Sequence, residues 1–149
     1  MKAYLDNSAT TRPTPLVIRA MTQCMEEGWH NPSSVYGPAV AAFRQVRACR
    51  EAILEKLGAS GEKLIFTSGG TEANNLAILG AVERMHGKQL VAVNATEHPS
   101  VLAAFERLRE MGHEVRVLAV DSEGALDYEA LGKALNDGAS LVSCMQVNN

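Results

Sequence analysis

The stretch Leu64 to Ile78 limits the possible folds more than any other part of the chain. An apolar run, a turn rich in hydroxyls and glycine, and a helical pattern follow one another without a gap. Leu64, Ile65 and Phe66 predict a strand. Gly69 and Gly70 permit backbone dihedrals and close approaches that a Cβ would block. Thr71 and Glu72 then fall where a helix leaves its first N–H groups unpaired. Backbone donors, the Thr71 hydroxyl and the positive helix end together suit an anion, and phosphate is the expected one. The pattern by itself fits a tight strand-to-helix connection without a ligand equally well. It is not a Walker loop, since no Gly-Lys-Ser or Gly-Lys-Thr follows, and the third glycine of the dinucleotide fingerprint is missing.

Alternation of elements predicts the architecture. Thr14-Pro15 starts a helix that runs to Gly28 with Val17, Met21 and Cys24 on one face, which makes Cys24 a core residue. Trp29 to Ser34 breaks the periodicity and reads as a loop. Ala42, Val46, Cys49, Ile53 and Leu57 form one stripe of a packing helix over Ala39 to Leu57, ended by Gly58, and place Cys49 in the core as well. Arg44, Arg47, Arg50, Glu51 and Glu55 form its wet face. Further on come a strand over Gln89 to Asn94, a helix over Pro99 to Met111 with Val101, Phe105 and Leu108 inward, and a strand over Glu114 to Val120. A short helix capped by Asp127 and carrying Leu131 and Leu135 follows, then a last strand over Leu141 to Val147. Such alternation implies parallel βαβ units: an α/β fold, a mostly parallel sheet with helices on both faces. Ligands then sit beyond the carboxyl ends of the strands, where the Gly69 turn, His98 and Asn149 are all expected.

At 149 residues with a net charge of −3, the chain is long enough for a real core and offers no electrostatic reason to bind nucleic acid or an anionic membrane. Its first residues include Asp6 where a signal peptide needs an apolar run, and no later run approaches a membrane span, so a cytoplasmic protein is expected. Cys24, Cys49 and Cys144 are odd in number and widely spaced, which fits reduced thiols better than a disulfide framework or a zinc site.

Five motifs in order carry a resemblance. They are Tyr4-Leu5-Asp6-Asn7-Ser8-Ala9-Thr10-Thr11, Asn31-Pro32-Ser33-Ser34, Ser68-Gly69-Gly70-Thr71-Glu72-Ala73-Asn74-Asn75-Leu76, Thr96-Glu97-His98-Pro99-Ser100-Val101 and the terminal Val147-Asn148-Asn149. Together they resemble the cysteine desulfurases, pyridoxal 5'-phosphate enzymes of the class V aminotransferase group with the fold type I architecture. The resemblance departs at Tyr36 and Ala39, where the family typically has His and Gly, so nothing is carried over to that loop.

The resemblance implies roles residue by residue. Gly70 and Thr71 anchor the cofactor phosphate. His98 stacks on the pyridine ring and serves in proton transfer. Asn149 bonds the phenolic oxygen, and Ala9 and Thr10 lie close to the substrate. It further implies L-cysteine as substrate, L-alanine as product, an enzyme persulfide, a sulfur-acceptor protein or iron-sulfur cluster assembly downstream, and a homodimer when complete. The family's cofactor-binding Lys, the Asp that pairs the pyridine nitrogen and the persulfide-forming Cys fall beyond the Asn-Asn motif. Lys2, Lys56, Lys63, Lys88 and Lys133 match no such position. The expectation is an amino-terminal segment with part of the cofactor-binding large domain, the remainder and the small domain being absent, inactive alone and with exposed apolar surface. Another class V enzyme, such as a selenocysteine lyase or an aminotransferase, and a non-catalytic phosphate- or partner-binding remnant are the alternatives.

Overall fold

A computed structural model describes residues 3–147. The chain divides into two compact units, Met1–Phe66 and Thr67–Asn149.

The first unit holds two helices, α1 (Pro15–Glu27) and α2 (Gly37–Lys56). The Thr14 hydroxyl accepts the Val17 N–H at 3.4 Å and Pro15 takes the first helical position, so α1 starts where expected. α2 ends in a Schellman arrangement: Gly58 turns left-handed at φ 66°, its N–H bonds the Glu55 carbonyl, and the Ala59 N–H reaches back to Leu54. Two expectations fail here. Cys24 and Cys49 are exposed, not core, and α1 buries no residue at all. Periodicity identifies which side of a helix is apolar, but only a packed partner buries it. Leu64, Ile65 and Phe66 likewise form no strand, and Ile65 is 64% exposed. Three strand-forming residues make a strand only beside a hydrogen-bonding neighbour, and these have none among the described residues.

The second unit is the α/β part. Its helices are α3 (Gly70–Glu83), α4 (Pro99–Glu110) and α5 (Tyr128–Asn136), and its strands are β1 (Leu90–Asn94), β2 (Glu114–Leu118) and β3 (Leu141–Ser143). The described strands form one sheet in the order β2-β1-β3, parallel at both pairings. β1 is central, with Val91 opposite Val115 and Leu141 on its two sides. Odd and even positions of β1 serve opposite faces. Val91 and Val93 pack with Ile78 and Val82 of α3 and with Val101, Ala104, Phe105 and Leu108 of α4. Ala92 packs on the other face with Leu118 and with Ala134 of α5. Helices therefore cover both faces of the sheet, as parallel strands require. The spacing Val101, Ala104, Phe105, Leu108 is a single helical stripe, and all four are buried.

Asp127 caps α5 as expected, its carboxylate accepting the N–H groups of Glu129 at 3.0 Å and Ala130 at 2.9 Å. Leu135 of this helix is 51% exposed. The strands are also shorter than the apolar runs: β2 stops at Leu118 and β3 at Ser143. Hydrogen-bonded register with β1, which itself ends at Asn94, sets their length.

Candidate functional site

Two helix beginnings and the carboxyl ends of two strands in the second unit bring polar groups together. The first is the turn into α3. Gly69 is the N-cap at φ 168°, an extended conformation open to any residue, and Gly70 is the first helical residue. Neither glycine is needed for backbone geometry, contrary to the sequence expectation. What they leave is space: a Cβ on either would meet no atom within 4 Å. The N–H groups of Gly70 and Thr71 sit in the first turn, where the helix supplies no carbonyl partner. Thr71 is exposed, and its carbonyl accepts the Asn75 side-chain amide at 2.9 Å.

Glu72 holds this turn from inside the helix. One carboxylate oxygen accepts both the Ser68 hydroxyl at 2.6 Å and the Ser68 N–H at 2.7 Å. A Glu at the third helical position reaching back over the N-cap is a variant of the capping box. The Ser68 hydroxyl, and then its N–H, hold the Glu72 carboxyl below its ordinary value of 4.5. A depressed folded-state value gives stabilisation that is present above the unfolded value and lost as pH falls through the folded one. Acidification below about 4.5 is therefore expected to release Ser68 and fray the start of α3, while Glu72→Gln removes that acid step. Amide shifts of Ser68 and Gly69 followed by NMR from pH 6 downward (roughly the range of carboxyl titration) report it. A transition of the same size in Glu72→Gln would refute the assignment.

The second beginning is that of α4. His98 is its N-cap, with Nδ1 accepting the Ser100 N–H at 3.1 Å and lying 2.8 Å from the Ser100 hydroxyl. The Ser100 hydroxyl in turn accepts the Asn74 side-chain amide at 2.9 Å, across from α3. Asn74 lies one turn into the helix that Gly70 and Thr71 begin, so this bond ties the phosphate-type turn to the His98 turn. The imidazole itself is exposed.

Behind His98 the chain is anchored in the sheet. β1 ends at Asn94, which is buried, and the Glu97 N–H bonds the Asn94 carbonyl at 3.2 Å. Glu97 is 8% exposed, and its carboxylate accepts the Ser143 hydroxyl at 2.7 Å. Ser143 closes β3, so the His98 turn is fastened to both neighbouring elements. Next to it, partial burial and then the nearby charge of Glu97 push the Cys144 thiol up, which keeps it in the thiol form and a poor nucleophile.

The structure thus brings Gly70, Thr71 and His98 into one unit. Asn149 lies outside the described residues. Ala9 and Thr10 belong to the first unit, in a turn where both N–H groups bond the Asp6 carbonyl at 3.3 Å. An open apolar cavity of 280 Å³ in that unit, lined by Cys24, His30, Val46, Cys49 and Phe66 among others, involves none of the candidate residues. Sequence reasoning gave no role to Asn74, Ser100, Glu97 or Ser143. Only Glu72, at the third helical position after the glycine N-cap, carries a local signal that could have flagged it.

In a parallel α/β unit, the helix starts and the histidine at a strand's carboxyl end lie where ligands of this architecture bind. The family model for aminotransferase class-V matches residues 3–149, and the chain belongs to that family, one of pyridoxal-phosphate-dependent enzymes. A cysteine desulfurase of Cereibacter sphaeroides is 41% identical over 99% of this chain. Among solved structures, a NifS-like protein superposes with a TM-score of 0.89 at 32% identity over 99% of the chain, covering 41% of its own. SspA in complex with cysteine superposes with a TM-score of 0.81 at 29% identity, over 95% of this chain and 41% of its own. The chain spans 39% of the length of the Cereibacter relative, its amino-terminal part. Among the described residues, no helix is long and apolar enough to cross a membrane.

Proposed function

We propose that the chain is the amino-terminal part of a pyridoxal-phosphate-dependent cysteine desulfurase, and that its own share of the work is to hold the cofactor phosphate and present His98. The observation that carries it is the Asn74–Ser100–His98 connection, which couples the open Gly69–Gly70–Thr71 turn to the imidazole.

The residues fit the cofactor's phosphate. A Cβ on either glycine would meet no atom within 4 Å, so the turn is open to a ligand. The first-turn N–H groups of Gly70 and Thr71 and the Thr71 hydroxyl supply donors, and the helix dipole favours the negative charge. Ser68 is committed to Glu72, so anchoring falls to Gly70 and Thr71. Pyridoxal phosphate, when bound, supplies an electron sink for the substrate's Cα. His98 offers a planar ring and a ring nitrogen that can hold or pass a proton.

In the complete enzyme the substrate is L-cysteine. Its Cβ–S bond breaks, the sulfur joins a thiolate to give a persulfide, and Cβ takes up a proton so that L-alanine leaves. The thiolate and the cofactor-binding Lys belong to sequence beyond Asn149, as does delivery of sulfur to an acceptor. The relative solved with cysteine bound supports this substrate.

The test is a titration of the chain with pyridoxal phosphate followed by cofactor absorbance. Thr71→Ala is expected to weaken binding about tenfold, the loss of about 1.4 kcal/mol. Gly70→Val, which places a branched side chain beside the first-turn N–H groups, is expected to abolish it, and inorganic phosphate is expected to compete. Equal affinity in all three proteins would overturn the proposal.

A further inference from the structure

A backbone N–H can only donate. The bond from the Ser100 N–H to Nδ1 of His98 at 3.1 Å therefore leaves Nδ1 unprotonated in the neutral ring and puts the proton on Nε2. The Ser100 hydroxyl lies 2.8 Å from the same nitrogen and accepts the Asn74 amide at 2.9 Å with one of its two lone pairs; beside an unprotonated Nδ1, the hydroxyl is the partner with a proton to donate.

We infer that Asn74 and Ser100 are positioning residues that fix His98 as the Nε2–H tautomer, so that its outward nitrogen meets a ligand as a hydrogen-bond donor. The inner nitrogen is taken up by the cap of α4. An imidazole held in this way has its ring orientation set by α3 and α4 together, before any ligand arrives. The consequence for chemistry rests on the proposed cofactor site; the tautomer does not.

His113 provides an internal standard. Its Nδ1 accepts the Gln89 N–H at 3.0 Å, so it too is an Nε2–H imidazole, at a place remote in sequence from α4's cap. His30 and His86 have no such bond to the ring nitrogens among those described.

The measurement is long-range proton–nitrogen NMR of the labelled chain at about pH 8.5, two units above the ordinary imidazole value. His98 is expected to show one protonated nitrogen, Nε2, as His113 does. Ser100→Ala is expected to shift the His98 Nδ1 resonance toward that of an unbonded ring nitrogen and to leave His113 unmoved. Ser100→Thr, which keeps the hydroxyl, is expected to retain the wild-type shift, and Asn74→Ala is expected to move it in the direction of Ser100→Ala. A His98 protonated on Nδ1, or one that shows a mixture of both tautomers, overturns the inference. So does a Ser100→Ala spectrum identical to wild type, or a Thr variant that behaves as Ala does. Titration of the same sample with pyridoxal phosphate separates the two claims: a fixed Nε2–H ring that binds no cofactor overturns the proposed function alone.

Discussion

Phe105→Ala is expected to remove about 3–5 kcal/mol of stability from the second unit, the largest effect of any single substitution considered. Phe105 is 1% exposed and sits in the middle of the α4 stripe, packed with Val82, Val91, Val93 and Leu108 where α3, α4 and β1 meet. Truncation removes the transfer free energy of the ring and leaves a cavity that fixed helices and a sheet close only in part. A domain of ordinary stability has about 5–15 kcal/mol in total, so much of the margin goes with one side chain. The midpoint of denaturant unfolding followed by circular dichroism should fall steeply. Leu135→Ala is the control: at 51% exposure it should move the midpoint by no more than about 0.5 kcal/mol in equivalent stability. Equal shifts in the two variants would mean that the core is not where the α4 stripe places it.

The comparison between Phe105 and Leu135 also shows what the sequence can and cannot disclose. The α4 stripe was legible because Val101, Phe105 and Leu108 repeat on one face and the helix has a sheet to lie on. The caps Thr14 and Asp127 were legible because a cap is local, made within three residues of itself. Parallel pairing followed from the alternation of strands and helices. The exposure of Cys24 and Cys49 was not legible, since a periodic face states a direction and not a partner. Nor was the absence of a strand at Leu64 to Phe66, whose β propensity has no neighbour to satisfy it. At the site, the Gly70–Thr71 helix start could be read from the chain, yet the contacts that arrange His98 could not. Asn74 and Ser100 are 26 residues apart, and Glu97 and Ser143 are 46 apart. Their pairing is a product of the fold, so no pattern of nearby residues announces it.

Ser143→Ala is expected to cost about 1.5–3 kcal/mol, more than a typical exposed serine, because it strips a donor from a carboxylate with little access to water. Glu97 is 8% exposed and receives the Ser143 hydroxyl at 2.7 Å. Removing the donor of a buried hydrogen bond to a carboxylate leaves the charge to bear its desolvation, whereas removing both partners relieves it. Glu97→Ala with Ser143→Ala should therefore destabilise by clearly less than the sum of the single changes, with a coupling of about 0.5–3 kcal/mol. Glu97→Gln should fall below Ser143→Ala in cost, since its amide oxygen still accepts the hydroxyl and carries no full charge. The same cycle has a functional reading. Glu97 directly precedes His98, and β3 leads toward Asn149, so this bond holds together the two chain segments that bear proposed cofactor contacts. If it does so, Ser143→Ala weakens pyridoxal phosphate binding relative to wild type. Additive stabilities, together with cofactor affinity equal to wild type, would show instead that the Glu97–Ser143 bond is incidental to both the fold and the site.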